Sequence, residues 1–132
     1  MREILFRGID IGTQEWVYGY YCERPSPFHI GKEYSIFDDK TISRYTIRPE
    51  TVGQFTGLTD KNGKKIFEGD IVVLNVKGNN TICTVSWAET VAQFQLWQIN
   101  TIPKTPTALN LGNYDCEIIG NIHDNPELLE AQ

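Results

Sequence analysis

Residues 55–72 read FTGLTDKNGKKIFEGDIV, and the way the chain turns within this stretch decides the fold. Asp60 at the first turn position, Asn62 near the bridge region and Gly63 with a positive φ meet the demands of a type I turn followed by a glycine bulge. An aspartate so placed accepts hydrogen bonds from backbone amides two or three residues on. A tight hairpin is therefore expected here. Glu68, Gly69 and Asp70 then lead into a branched run, the pattern with which many small barrels begin their first long strand, the Asp side chain tying the turn.

Two chemical readings compete with this structural one. A phosphate cradle would need GxxxxGK[ST] or GxGxxG spacing, and the stretch has neither. A divalent metal site could be assembled from Asp60, Glu68 and Asp70, the raw material of a metal-dependent hydrolase. Such a site usually draws on further acidic or histidine ligands, and none stands at a suggestive spacing. Turn-making is the preferred reading for all three, so no cofactor and no metal is assigned.

Downstream, IVVLNV (71–76), the turn sequence KGNN and TICTVSW (81–87) have hairpin spacing. Cys83, Val85 and Trp87 make the more apolar face of the second strand. In QFQLWQI (93–99), Phe94 and Leu96 point one way and Trp97 and Ile99 the other. A strand apolar on both sides makes Trp97 and Ile99 candidate interface residues. NTIPKTPTALNLGNYD (100–115) reads as a long loop, and CEIIGNI (116–122) as a last strand whose glycine marks a bulge or close backbone approach. NPELLEAQ starts a terminal helix, with Asn125 as N-cap, Pro126 in the first turn and Leu128 and Leu129 docking it.

Upstream, REILFRGID and EWVYGYYCE flank IGTQ and predict an N-terminal hairpin, with Trp16, Tyr18 and Tyr20 on one face. RPSPFHIGKEYSIFDD (24–39) carries two prolines around Ser26 and reads as a connector or the rim of a site. TISRYTI (41–47) returns to strand composition, and Pro49 suits a short helical turn. The expected fold is mainly β: an N-terminal β-hairpin region with a short helical turn over 1–54, then an SH3-like small barrel with a short C-terminal helix over 55–132.

Composition narrows the function classes. The three Trp, six Tyr and six Phe among 132 residues suit strands. No apolar run approaches bilayer length and the first ten residues lack a signal-like apolar block, which predicts a cytoplasmic protein. Cys22, Cys83 and Cys116 are widely separated, and with His29 and His123 they lack zinc-ligand spacing, so reduced thiols are expected. The formal charge of −5 is uneven: Gly78 to Gln132 holds one basic residue, Lys104, against six acidic ones. A phosphate-neutralising surface cannot come from that half. Arg2, Arg7, Arg44, Arg48, Lys61, Lys64 and Lys65, with Tyr45 and Phe55, are what remains for nucleic-acid binding. No GxSxG or recognisable cysteine nucleophile motif occurs.

PETVGQFTGLTDKNGKKIFEGDIV, with MREILFR at the start and CEIIGNIHDNPELL at the end, closely resembles the YopX-like family of small phage and prophage proteins. Gln54, Phe55, Thr56, Gly57, Asp60, Gly63, Glu68, Gly69 and Asp70 stand where the family signature places them. Ile119, Gly120, Asn121 and Asn125 to Leu128 match its terminal block, and Val85-Ser86-Trp87 with Phe94 resembles its paired strands. The resemblance is weak over 11–48 and 97–114. It implies an SH3-like barrel region, a bacterial cytoplasmic setting and homo-oligomers, and it implies no activity. The expected function is a non-enzymatic, oligomeric binding or assembly module with a phage or host protein partner and no membrane. Nucleic-acid binding is the alternative, and metal-dependent hydrolysis ranks below it.

Overall fold

The computed structural model describes residues 3–28, 30–76, 78–88, 93–98, 108–110 and 115–129, with the backbone alone at 76, 98 and 108–110. The strands are β1 (Phe6–Ile9), β2 (Trp16–Pro25), β3 (Lys32–Asp38), β4 (Ser43–Thr46), β5 (Gly53–Thr59), β6 (Lys65–Phe67), β7 (Asp70–Val76), β8 (Asn79–Ala88), β9 (Gln93–Gln98), β10 (Ala108–Asn110) and β11 (Cys116–Asn121). They form two antiparallel sheets, ordered β4-β3-β2-β1-β5-β6 and β10-β9-β8-β7-β11. The chain divides into two compact units, Met1–Phe55 and Thr56–Gln132.

In the first unit β1 and β2 form the expected hairpin, Phe6 opposite Gly19 and Ile9 opposite Trp16. The sequence, with prolines just upstream, reads KEYSIFD as part of a connector or the rim of a site, but it forms a strand, β3. Pro25 in fact ends β2 opposite Lys32, an edge position where its missing N–H costs no ladder bond. Ser35 and Ile36 are both fully buried although their side chains leave opposite faces of the strand. A 3-10 turn, Pro49–Thr51, stands where Pro49 predicted it. Thr51 Oγ1 donates to the Arg48 carbonyl at 2.6 Å and accepts from the Ile9 amide at 2.8 Å.

In the second unit Ile66, Val72, Leu74, Cys83, Val85, Phe94, Leu96 and Cys116 make one buried cluster. Their alternation along β8 and β9 follows the period of a strand covered on one face, whereas on β7 Ile71 and Val72 are both fully buried. β11 breaks register between Ile118 and Gly120, the bulge that the glycine indicated. A Cβ at Gly120 would sit 2.5 Å from Asn125 Oδ1, so the close approach of backbone to side chain demands glycine.

Two expectations are corrected. The second unit is not a closed SH3-like barrel but an open sheet with β10 and β11 at its edges. The reason lies on β11, whose Cys116 carbonyl accepts from the Lys61 amide at 2.9 Å while its Ile118 amide donates to Asp60 Oδ2 at 3.1 Å. Those edge groups are satisfied by a turn, not by a closing strand. The C-terminal helix is a 3-10 turn, Pro126–Leu129, closed by Leu128 N–H to the Asn125 carbonyl at 3.1 Å. Asn125 Oδ1 faces backward to the Asn121 amide at 3.2 Å instead of capping a helix, and Leu129 is exposed.

Candidate functional site

The nine signature residues occupy β5, the 60–64 turn and the 67–70 turn. Gln54 is half-buried opposite Phe6, and Phe55 is buried with its amide on the Leu5 carbonyl at 2.8 Å. Thr56 Oγ1 donates to the Ile66 carbonyl at 2.8 Å and accepts from the Leu58 amide at 3.2 Å. Gly57, Gly63 and Gly69 all have φ between 83° and 89°, the left-handed region that an L side chain enters at a cost.

Asp60 organises the turn. Its Oδ1 accepts from the amides of Asn62 and Lys64, each at 2.9 Å, and its Oδ2 from Ile118. Gly63 N–H closes the turn onto the Asp60 carbonyl at 3.0 Å. The side chain is only 5% exposed. Burial pushes its carboxyl up, but the amides of Ile118, Lys64 and Asn62, helped by the Lys64 charge, outweigh that and hold it below the ordinary carboxylate value.

Asp70 is 2% exposed and its Oδ2 accepts from the Phe67 amide at 2.8 Å. Between them Gly69 donates to the Val85 carbonyl at 2.9 Å and accepts from the Ile122 amide at the same distance. Glu68 is half-buried on this turn. The geometry is a clasp: two turns fastened by carboxylates and glycine backbone onto β8, β11 and the segment after β11. Among the described residues no group of three or more His, Cys, Asp and Glu side chains is arranged to hold a metal ion.

The cysteines belong to the same architecture. Cys83 and Cys116 are buried, and Cys22 is half-buried; none forms a disulfide. Burial, then the neighbouring Cys116, pushes the Cys83 thiol up to about 12. Burial, then the charges of Asp60, Asp115 and Asp70, pushes Cys116 up to about 11. Thiols so placed are poor nucleophiles at neutral pH.

Of the basic residues considered for nucleic acid, Arg7 is buried with its guanidinium 4.5 Å from the Trp16 ring centroid. Arg48 pairs with Glu50 at 2.8 Å and Lys61 with Glu117 at 3.4 Å. Phe55 is buried and offers no stacking face. Arg44 is exposed, donating to Ser35 Oγ at 3.1 Å with its guanidinium 5.8 Å from the Phe37 ring. Arg2 lies outside the described residues.

Of the candidate interface pair, Trp97 is 37% exposed on β9 and Ile99 lies outside the described residues. Sequence reasoning passed over a more exposed pair. Phe28 is 90% exposed and Ile30 fully so, in the turn between β2 and β3. The signal was present in PSPFHI: large apolar groups between prolines and a glycine, in a segment with no alternation to bury them.

The class of protein this defines is a mainly β one of two antiparallel sheets, in which the signature's Thr56, Asp60 and Asp70 fasten the chain's own backbone. The family model for YopX protein matches residues 5–130, and the chain belongs to that family. The crystal structure of protein EF1440 from Enterococcus faecalis is similar over 98% of this chain and 100% of that one, with a TM-score of 0.55 and 24% identity. That likeness extends to the fold. A search of curated proteins finds no match. No described helix is long and apolar enough to cross a membrane.

Proposed function

We propose that the protein is a non-enzymatic binding or assembly module that acts as a homo-oligomer in phage or prophage physiology, within the bacterial cytoplasm. One observation carries this reading: the signature's two aspartates are committed to the protein's own backbone. Asp60 accepts from three amides, and Asp70 from one. A carboxylate serving as a general base or metal ligand needs lone pairs aimed at a substrate or ion.

The outward-facing chemistry supports association instead. β8 and β9, NNTICTVSWA and QFQLWQ, contain no charged side chain, although the chain as a whole carries −5. Depletion of charge with retention of tryptophan is the composition of an interface core. Light scattering on the purified protein tests the reading. An assembly of defined mass is expected, and a clean monomer at high concentration would refute it.

A second reading, nucleic-acid binding, draws on Arg44 beside Phe37 with exposed Tyr18 and Tyr20 on β2. Its test is oligonucleotide binding that weakens as salt rises. Absence of binding removes it.

A further inference from the structure

The 60–64 turn holds the one dipeptide in the chain that is poised to rearrange chemically. Asparagine is a labile side chain, and Asn62 is the only asparagine followed by glycine; no aspartate is followed by one. The side-chain carbonyl carbon of an asparagine lies one five-membered ring away from the next backbone nitrogen. A glycine there puts no Cβ in the way of ring closure. Asn62 and Gly63 are both exposed, as are Lys61, Lys64 and Lys65 around them. Water and hydroxide therefore reach both reacting groups.

In the closed turn these two groups are tied to different partners. Gly63 N–H donates to the Asp60 carbonyl at 3.0 Å, which engages its proton within the turn. Asn62 Nδ2 donates to Glu117 Oε2 at 3.4 Å, which draws the side-chain amide toward β11. The amides of Asn62 and Lys64 share Asp60 Oδ1, each at 2.9 Å. Ring closure has to release the first two bonds and swing the Asn62 side chain onto the Gly63 nitrogen. Such bonds, at the exposed end of a hairpin, belong to the part of a fold that opens locally while the core stays closed.

We propose that Asn62 is a site of spontaneous deamidation gated by the 60–64 turn, and that its products weaken the turn that formed them. When the turn opens, the Gly63 nitrogen gives its proton to hydroxide or water and bonds to Asn62 Cγ. The Cγ–Nδ2 bond breaks, ammonia leaves with a proton from solvent, and a cyclic imide remains. Water then opens the imide at one of its two carbonyls. Opening at Cγ leaves aspartate; opening at the main-chain carbonyl leaves isoaspartate, whose backbone runs through Cβ and Cγ. The sum is one water consumed and one ammonia released, with no change of oxidation state. Either product removes the donor to Glu117 and adds a negative charge beside Asp60 and Glu117, where like charges repel. Isoaspartate also lengthens the backbone by one carbon before Gly63, which moves the Gly63 and Lys64 amides away from Asp60. The turn that covers the β11 edge thus carries a one-way change that accumulates with the protein's age.

Peptide mapping by mass spectrometry, with released ammonia followed in parallel, tests this on the full chain at mildly alkaline pH, both folded and in guanidinium chloride. The samples are wild type, Asp60→Ala, Glu117→Ala and Asn62→Gln. Wild type should deamidate at Asn62 about tenfold or more slowly when folded than in denaturant, the factor that about 1.4 kcal/mol of turn closure supplies. Asp60→Ala should bring the folded rate toward the denatured one. Glu117→Ala, at a partly exposed position, should raise it about twofold with the fold intact. Asn62→Gln should show no mass change at position 62. Aged wild-type protein, separated from fresh protein by charge, should melt below it. Equal rates at Asn62 in the folded and denatured chains, or a folded rate unmoved by both turn variants, would overturn the gate. No conversion in the folded wild type or in either turn variant would overturn the site, and equal melting of aged and fresh protein would overturn the weakening.

Discussion

The 60–70 hairpin and the 23–33 end of the β2–β3 hairpin are both antiparallel ribbons turned by glycine, yet they spend their side chains in opposite ways. The first buries its two aspartates against backbone amides and exposes Lys61, Lys64 and Lys65. The second pairs its charges with one another at the surface and exposes Phe28 and Ile30. Where polar groups point inward, the sequence is constrained by the fold. Where apolar groups point outward, the fold itself does not require them. A family signature dense in Asp, Glu and Gly therefore marks architecture here, and the unremarkable PSPFHI segment holds the anomaly.

Breaking the inward side should cost stability. Leu96→Ala, which empties a fully buried position in the second unit, is expected to cost about 3 kcal/mol in urea denaturation. Asp60→Ala should cost about 2–3 kcal/mol by stranding the Ile118, Asn62 and Lys64 amides. The same carboxylate gives a pH dependence of known sign. Its folded pKa lies below the unfolded value, so its contribution is full above the ordinary carboxylate pKa of about 4 and is lost as pH falls through the folded value. In Asp60→Asn that part of the acid limb should vanish. Asp10, held down first by the Thr13 hydroxyl, and Glu23, held down first by Tyr21, retain acid sensitivity of their own.

Smaller effects sharpen the contrast. Gly63→Ala places a Cβ at a φ of 83° with nothing within 4 Å of it, so only backbone strain is at stake, about 1 kcal/mol. Thiol labelling under native conditions should modify Cys22 well before Cys83 and Cys116, with all three reacting in denaturant. Smallest of all, Phe28→Ser should change stability by less than about 0.5 kcal/mol, because the side chain packs against little of its own chain.

What the sequence disclosed, it disclosed through local rules. The 60–64 turn was legible because Asp60, Asn62 and Gly63 each meet a backbone requirement within four residues. The β7–β8 hairpin and the Gly120 bulge were legible for the same reason. What failed was non-local. Asp60 and Ile118 are separated by 58 positions, and nothing near either one announces that a turn, not a strand, covers the β11 edge. An SH3-like barrel was the natural expectation without that bond. β3 was obscured by Pro25 and Pro27, which read as breakers although they sit at a strand end and a turn. The terminal helix failed because Asn125 bonds backward. For the candidate site, the turn chemistry of Asp60 was readable and its third amide was not.

The central claim is that the signature carboxylates hold the fold together, and Asp60 tests it most directly. Equilibrium urea unfolding of wild-type protein and Asp60→Asn at neutral pH is the measurement. The asparagine keeps one acceptor oxygen and loses the other along with the charge. A lower midpoint at unchanged m-value, equivalent to about 2 kcal/mol, is the predicted result. An unchanged midpoint would contradict the account, because a carboxylate that can be neutralised without loss of stability is one kept for a ligand.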